Sequence, residues 1–183
     1  MAETIIETQR LRLRTWDAAD VEPFMAALNT PSVMQWLGGV QSRAEFDAFV
    51  HRMHDCQAEY GHCFWIIERR QDAELLGFCG LKRTNSPGAP MPGVHEIGWR
   101  LREDAQGMGY AREAAEATLA HAFGPLGAPF VVALTVRENA PSWGLMMRLG
   151  MRRAREWDFT GGFAGDGDTA IITYRIDRED FTQ

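Results

Sequence analysis

The sequence predicts a mixed α/β fold in which helices pack on a central sheet. The chain has 183 residues, which is long enough to bury a full core, so we predict one domain over residues 1–183. Hydrophobic residues make up 45% and charged residues 24%, proportions typical of a soluble globular protein. Strand and helix patterns alternate through the second half, which favours an α/β or α+β sheet domain.

The first half begins with a half-buried strand, because Leu11 and Leu13 alternate with arginines. Ser42 and Glu45 have the spacing of a capping box, which predicts the start of a long helix. In chain order the predicted elements are this strand, a helix from Asp17 or Asp20 to Leu28, a short helical segment at 33–37, the helix capped by Ser42, and strands at 62–68 and 75–82.

The second half follows a loop at 85–93, which contains three prolines and two glycines. Gly150 comes directly after a run of helical character, so we expect a left-handed helix end there. A glycine-rich loop is predicted at 161–167. The remaining predicted elements are strands at 94–102, 130–136, 151–159 and 169–175 and helices at 109–123 and 142–149.

Composition narrows the possible partners. The formal net charge of −6 argues against a nucleic-acid surface, which usually carries a basic patch, and mildly favours a cationic partner. No stretch approaches membrane-spanning length, and no signal peptide is recognised, so we expect no membrane partner. The three cysteines have no paired spacing, which predicts reduced thiols and a cytoplasmic protein. His51, His54 and Cys56 lack a further ligand at convincing spacing, so we expect no metal site.

The most informative motif is the glycine-bearing turn at 106–111, which lies between a predicted strand and a predicted helix. Such a turn presents unpaired backbone N–H groups at the positive end of the helix dipole, an arrangement that binds phosphate or pyrophosphate. A dinucleotide fingerprint would need a small residue at position 112, where Arg112 stands, and no Gly-Lys-Ser/Thr follows as in a nucleotide P-loop. A tight turn without a ligand is the alternative.

Three segments resemble the GNAT acetyltransferase superfamily. Gln106-Gly107-Met108-Gly109-Tyr110-Ala111 is similar to its Gln/Arg-x-x-Gly-x-Gly/Ala signature. Residues 136–142 and 149–151 are similar to its Asn-x-x-Ser … Leu-Gly-Phe element, and residues 7–14 resemble the opening strand of the ribosomal-protein N-acetyltransferase (RimJ/RimL-like) subgroup. The resemblance spans about residues 7–175 and implies a twisted, mostly antiparallel sheet of about seven strands, splayed at a bulge and flanked by helices.

The resemblance also implies an acetyl-CoA site without a metal. Main-chain groups of the strand before the turn would bind the pantetheine arm, and backbone amides of the turn would bind the pyrophosphate. The side chain of Arg112 either contacts phosphate or is simply solvated. The positions implied are Trp99, Arg100, Leu101, Gln106, Gly107, Met108, Gly109, Tyr110, Ala111, Arg112, Asn139 and Ser142.

For catalysis the resemblance points to Glu96 as a general base acting through water, because the subgroup commonly has a glutamate there. A salt-bridged glutamate at the strand end and His95 as the base are the alternatives. Many family members have a tyrosine as general acid where this chain has Met146. That departure leaves Ser142 as the acid, or a thiolate that departs without assistance. Ser142 could also be only the helix N-cap.

The function implied is an acetyl-CoA-dependent N-acetyltransferase acting by direct attack in a ternary complex. Its acceptor would be a primary amine, either a protein N-terminus or a small amine, and the protein would be a monomer or homodimer. The alternative is a non-catalytic acyl-CoA-binding or sensing module of the same fold, which the missing tyrosine favours.

Overall fold

The computed structural model describes residues 2–161 and 169–182 and contains one sheet with helices on both of its faces. The strands are β1 (Thr4–Glu7), β2 (Leu11–Arg14), β3 (Phe64–Arg69), β4 (Leu75–Arg83), β5 (His95–Leu101), β6 (Phe130–Val136), β7 (Arg152–Arg153), β8 (Phe159–Thr160) and β9 (Ala170–Asp177). The helices are α1 (Val21–Leu28), α2 (Pro31–Met34), α3 (Arg43–Tyr60), α4 (Tyr110–Phe123) and α5 (Ala140–Arg148). The predicted mixed fold is confirmed.

The strand order is β1-β2-β3-β4-β5-β6-β9-β7, with β8 also paired to β9. Every pairing is antiparallel except β5 with β6, which is parallel and contains the single pair Glu96–Val132. By contrast, β5 stays in register with β4 from His95 to Leu101 without a shift. The sheet therefore opens on the β6 side of β5, toward the carboxyl ends of these two strands, which confirms the predicted splay. The predicted bulge is not found in the described residues of β5, because β5 pairs residue by residue with β4.

Two layers of helix cover the sheet, as two adjacent residues of β4 show. The ring of Phe78 lies 6.0 Å from that of Phe24 on α1 and 5.8 Å from that of Phe49 on α3. The Cys79 Sγ atom lies 3.5 Å from Thr118 Oγ1 on α4. Successive side chains of a strand point to opposite faces, so one face packs on α1 and α3 and the other on α4.

The register with β4 assigns each side chain of β5 to a face. Arg100 pairs with Phe78 and Glu96 pairs with Lys82, so both project toward the α1–α3 layer. The residues that alternate with them, His95, Ile97, Trp99 and Leu101, project toward α4.

The predicted strand at 151–159 is wrong. Only the two-residue strands β7 and β8 form there, separated by a single turn of 3₁₀-helix at Arg155–Trp157. The side chain of Asp158 accepts a hydrogen bond from Thr173 N at 2.9 Å and binds Arg153 through both carboxylate oxygens at 2.7 Å. The backbone N–H group of Thr173 in β9 is therefore bonded to a carboxylate side chain and not to a carbonyl group of a neighbouring strand. Including these short strands, the described residues form nine strands instead of about seven.

Two predicted helix boundaries have different outcomes. The capping box at Ser42 is confirmed, because its hydroxyl accepts from Glu45 N and the Glu45 carboxylate accepts from Ser42 N. The start of α5 at Ser142 is wrong: the helix begins at Ala140, and Asn139 is the N-cap. Gly150 has the expected positive φ, at 84°. Most of the glycine-rich loop predicted at 161–167 lies outside the described residues. Among the residues that are described, no helix is long and apolar enough to cross a membrane.

Candidate functional site

The turn before α4 presents a row of unused backbone donors. Gly107 and Gly109 have φ of 72° and 80°, a left-handed conformation that glycine adopts without strain. Gly109 is the N-cap and provides no side chain to cap the helix. Within the described part of the chain, the amides of residues 107–112 donate no hydrogen bond. Residues 106–109 are exposed, so a phosphate group could reach these donors.

Side chains from the β1–β2 hairpin support this turn. Glu113 accepts hydrogen bonds from the Thr8 hydroxyl at 2.6 Å, from Arg10 N at 2.8 Å and from Arg10 Nε at 2.6 Å. Arg10 Nη1 donates to Met108 O at 3.0 Å, and its guanidinium carbon lies 4.5 Å from the centre of the Tyr110 ring. Arg10 therefore fixes the turn and adds positive charge beside it. Thr8, Arg10 and Glu113 are not among the site positions predicted from the sequence.

Replacing Glu113 by alanine should weaken both the fold and the turn. Three hydrogen bonds to a partly buried carboxylate are lost, which should cost about 1–3 kcal/mol in the free energy of unfolding. Glu116→Ala is the matched control, because Glu116 forms only an exposed ion pair with Arg112 on the same helix, worth about 0.5 kcal/mol. Denaturant unfolding of both variants checks this, and equal losses would contradict the supporting role of Glu113.

The other side chains of the glycine turn and of the first residues of α4 differ in their contacts and exposure. Gln106 Nε2 donates to Leu101 O at 3.1 Å, which ties the turn back to the end of β5. Tyr110 is buried, whereas Met108 is 57% exposed. Arg112 donates to Glu116 at 2.7 Å and is exposed. The side chains of Gln106 and Tyr110 therefore stabilise the turn, whereas the side chain of Arg112 is paired with Glu116 on the same helix.

Helix α5 follows β6, the strand from which β5 separates. The Asn139 side-chain oxygen accepts from Ser142 N at 3.4 Å, and the Asn139 amide nitrogen donates to no described residue. Ser142 is half-buried, and its hydroxyl likewise has no hydrogen bond to a described residue. Met146 follows one turn later and is buried, at 1% exposure. The structure thus leaves a free amide and a free hydroxyl at the helix start, while Met146 belongs to the core.

Glu96 is buried at the amino end of β5, on the α1–α3 face. Burial raises the pKa of its carboxyl group, and this shift is partly opposed by the Lys82 ammonium and the Thr84 hydroxyl. Lys82 Nζ lies 3.3 Å from Oε2 but outside hydrogen-bond geometry, so this oxygen has no hydrogen-bond partner in the described chain. A carboxylate with a raised pKa is a stronger base than an exposed one, and the oxygen without a hydrogen-bond partner can accept a proton.

His95 occupies the opposite face of β5. Its ring lies 5.3 Å from that of His62, and its Nδ1 lies 3.4 Å from Arg83 Nη1. Burial lowers its pKa to about 4, and the positive charge of Arg83 acts in the same direction. His95 is therefore neutral at physiological pH, and it faces the α4 layer instead of the layer that Glu96 faces.

The structure brings most of the predicted positions to one region of the sheet. Trp99, Arg100 and Leu101 lie on β5 where it has separated from β6, and the unused amides of the turn follow directly. Among the described residues, no group of three or more His, Cys, Asp or Glu side chains is arranged to hold a metal ion.

Comparison with known proteins shows the family. The acetyltransferase (GNAT) domain family matches residues 10–152. The chain is 30% identical to the uncharacterized N-acetyltransferase YnaD of Bacillus subtilis, over 81% of this chain and 82% of that protein. An acetyltransferase structure from Agrobacterium tumefaciens superposes with a TM-score of 0.77 at 26% identity, covering 93% of this chain and 92% of that one. A putative ribosomal-protein-serine acetyltransferase from Vibrio cholerae has the same fold, with a TM-score of 0.76, 22% identity and coverage of 94% and 96%.

Proposed function

The chain belongs to the GNAT acetyltransferase family, and from this premise we propose that it transfers the acetyl group of acetyl-CoA to a primary amine by direct attack in a ternary complex. The acceptor is a protein N-terminus or a small amine. The observation that carries this proposal is the row of free amides at 107–112, directly beside the opening between β5 and β6. The pyrophosphate would bind these amides, with Gly107 and Gly109 allowing close approach of the backbone.

The pantetheine arm would then lie along the open edge of β5, against main-chain groups of Trp99, Arg100 and Leu101. The free side-chain amide of Asn139 supports a contact to the same arm from the α5 side. Arg112 adds a phosphate contact only if it leaves Glu116. Arg10 is also paired, with Glu113, but its Nη2 atom donates to no described residue and lies beside Gly109, so it could contact a phosphate without leaving that pair.

The chemistry requires removal of a proton from the acceptor ammonium, attack of the neutral amine on the thioester carbonyl, and departure of the thiolate. Glu96 accepts the first proton through a water molecule, and its raised pKa makes it a stronger base for this role. Backbone N–H groups near Leu101 stabilise the oxyanion of the tetrahedral intermediate. The unpartnered hydroxyl of Ser142 protonates the leaving sulfur.

A non-catalytic acyl-CoA-binding module is the second candidate. Met146 occupies the position at which many family members have a tyrosine that acts as the general acid. It is buried in the core and cannot donate a proton. If neither Ser142 nor departure of the thiolate without assistance completes the reaction, the same cleft would bind acetyl-CoA and sense it without turnover.

Two measurements, made one after the other, test the proposal. Isothermal calorimetry with acetyl-CoA should show micromolar or tighter binding, and absence of binding would remove the basis of both candidates. Release of free thiol from acetyl-CoA is then followed across a panel of amines. Acceptor-dependent release identifies the enzyme, whereas binding without release under every acceptor identifies the sensing module.

Replacing Ser142 by alanine should lower turnover roughly 10- to 100-fold, the range expected when a general acid is removed and water partly substitutes. The affinity for acetyl-CoA should change little, because the main cap of α5 is Asn139 and not Ser142. Steady-state kinetics with calorimetry of the same variant separates the two effects. A loss of affinity that matches the loss of turnover would assign Ser142 to binding instead.

A further inference from the structure

Arg100 is a half-buried residue whose guanidinium group forms no ion pair with any described residue. Its Nε and Nη1 atoms are inaccessible to solvent and have no hydrogen-bond partner among the described residues, whereas Nη2 is not fully buried. Burial lowers the pKa of Arg100 to about 10, which still leaves the group charged at neutral pH. An unpaired buried charge is costly, so its presence calls for a partner that binds here.

Aromatic rings surround this guanidinium but do not replace that partner. Its central carbon lies 5.1 Å from the centre of the Phe78 ring and 5.9 Å from that of Phe49. Such cation–π contacts involve the faces of the rings and stabilise the positive charge. They leave the N–H groups at the edge of the guanidinium without acceptors, which is where a planar carboxylate binds an arginine.

The buried carboxylates on this side of the described chain are already paired. Glu68 binds Arg12 and Arg14 at 2.9 and 2.8 Å, and Asp20 binds Arg14 at 2.7 Å. Glu96 lies beside Lys82. None of these groups is available to neutralise Arg100.

Arg100 and Glu96 lie on the same face of β5, and only Gly98 projects between them. At about 3.3 Å per residue their Cα atoms are about 13 Å apart. A Cβ atom at Gly98 would meet the Phe64 ring at 2.8 Å, so an apolar ring lies over this glycine. The face therefore combines a proton acceptor, an apolar surface and a cation.

We infer that the acceptor carries a carboxylate as well as its amine, and that the guanidinium of Arg100 binds this carboxylate. An α-amino acid with an apolar side chain has this chemistry: its ammonium group would face Glu96 and its side chain would contact the phenylalanine rings. Acceptors with a second positive charge in place of the carboxylate are disfavoured, because they would be repelled by Arg100. The inference rests on the proposed acetyl transfer and specifies its acceptor.

The test compares matched acceptors after calorimetry has established acetyl-CoA binding. L-phenylalanine, L-leucine and L-methionine are compared with their carboxamides, and phenylalanine also with 2-phenylethylamine. Rates are expressed per neutral amine, because the amide and the acid differ in amine pKa. The free carboxylates should have a kcat/KM roughly 10- to 100-fold above the amides, as expected for a hydrogen-bonded charge pair. Equal use of amides, or turnover of other amines alone, would overturn the inference and leave acetyl transfer intact.

Arg100→Gln should reduce this discrimination to within about 3-fold, mainly through a higher KM for the carboxylate series. Arg52→Gln is the control, since it removes the same charge from an exposed position on α3 and should retain the discrimination. Loss of discrimination in both variants would show a general effect of charge and overturn the inference.

A stability measurement tests the premise independently of activity. If the guanidinium has no partner in the free protein, Arg100→Met should leave the unfolding midpoint unchanged or raise it. A lower midpoint would reveal an internal partner for Arg100 and overturn the assignment. With the wild-type protein, 10 mM L-phenylalanine should raise the midpoint in the presence of CoA, and L-phenylalaninamide should not.

Discussion

Replacing Gly109 by glutamate is expected to weaken acetyl-CoA binding roughly 100-fold or more. The glycine has φ of 80°, a conformation that costs an L-residue about 1–2 kcal/mol. The new carboxylate would also stand among the amides proposed to bind pyrophosphate, and like charges in contact cost several kcal/mol. Calorimetry with acetyl-CoA measures the loss directly, and unchanged affinity would contradict the placement of the pyrophosphate.

The control for this variant is Gly61→Glu. Gly61 has a similar φ of 73°, and a Cβ atom there would meet no other atom within 4 Å. It ends α3 just before the start of β3, which lies level with the amino-terminal half of β5, whereas the glycine turn follows the carboxyl end of β5. The variant therefore carries the same kind of backbone strain and the same added charge without approaching the phosphates. Gly61→Glu should retain acetyl-CoA affinity within a few-fold, so a large loss there would show that strain, not position, causes the effect.

Glu96→Gln is expected to lower kcat at pH 7 by roughly 100-fold or more, the contribution typical of a general base. In the wild-type protein the raised pKa of Glu96 means that activity falls as the pH drops through that pKa, because the protonated carboxyl group cannot accept a proton. The variant should recover partly at high pH, where the acceptor amine is already neutral. A pH profile of kcat/KM for both proteins checks this, and a variant with the wild-type profile would exclude Glu96 as the base.

Lys82→Met tests the same carboxylate without removing it. The Lys82 ammonium lies 3.3 Å from Glu96 Oε2 and lowers the pKa that burial raises. Without this ammonium the pKa should rise further, and the acid limb of the pH–rate profile should move to higher pH. A limb that stays in place would mean that another group controls it.

Local sequence signals predicted the parts of the site that depend on backbone geometry. Gly107 and Gly109 have the left-handed conformation that the motif requires, and α4 begins directly after them, at Tyr110. The same kind of signal located α3, since a capping box is complete within four residues. These features could be predicted because every interacting group lies within one turn of chain.

Features that depend on distant residues could not be predicted in this way. Arg10 and Glu113 are separated by 103 positions, and each has the appearance of an ordinary surface charge in the sequence. The pairing of Lys82 with Glu96 follows from the register of β4 and β5 across the proline-rich loop, which the pattern of residues does not fix. The incorrect prediction of a strand at 151–159 has the same cause, because the backbone N–H group of Thr173 donates to the side chain of Asp158 and not to a neighbouring strand.

The contact between the β1–β2 hairpin and α4 limits which substitutions this chain can accept. A change at Arg10 alone leaves the Glu113 carboxylate without its cation, and a change at Glu113 alone leaves the guanidinium unanchored above Tyr110. Substitutions at the two positions should therefore be accepted together or not at all. The β1–β2 hairpin and α4 should therefore change together, although Arg10 and Glu113 are 103 positions apart in the sequence.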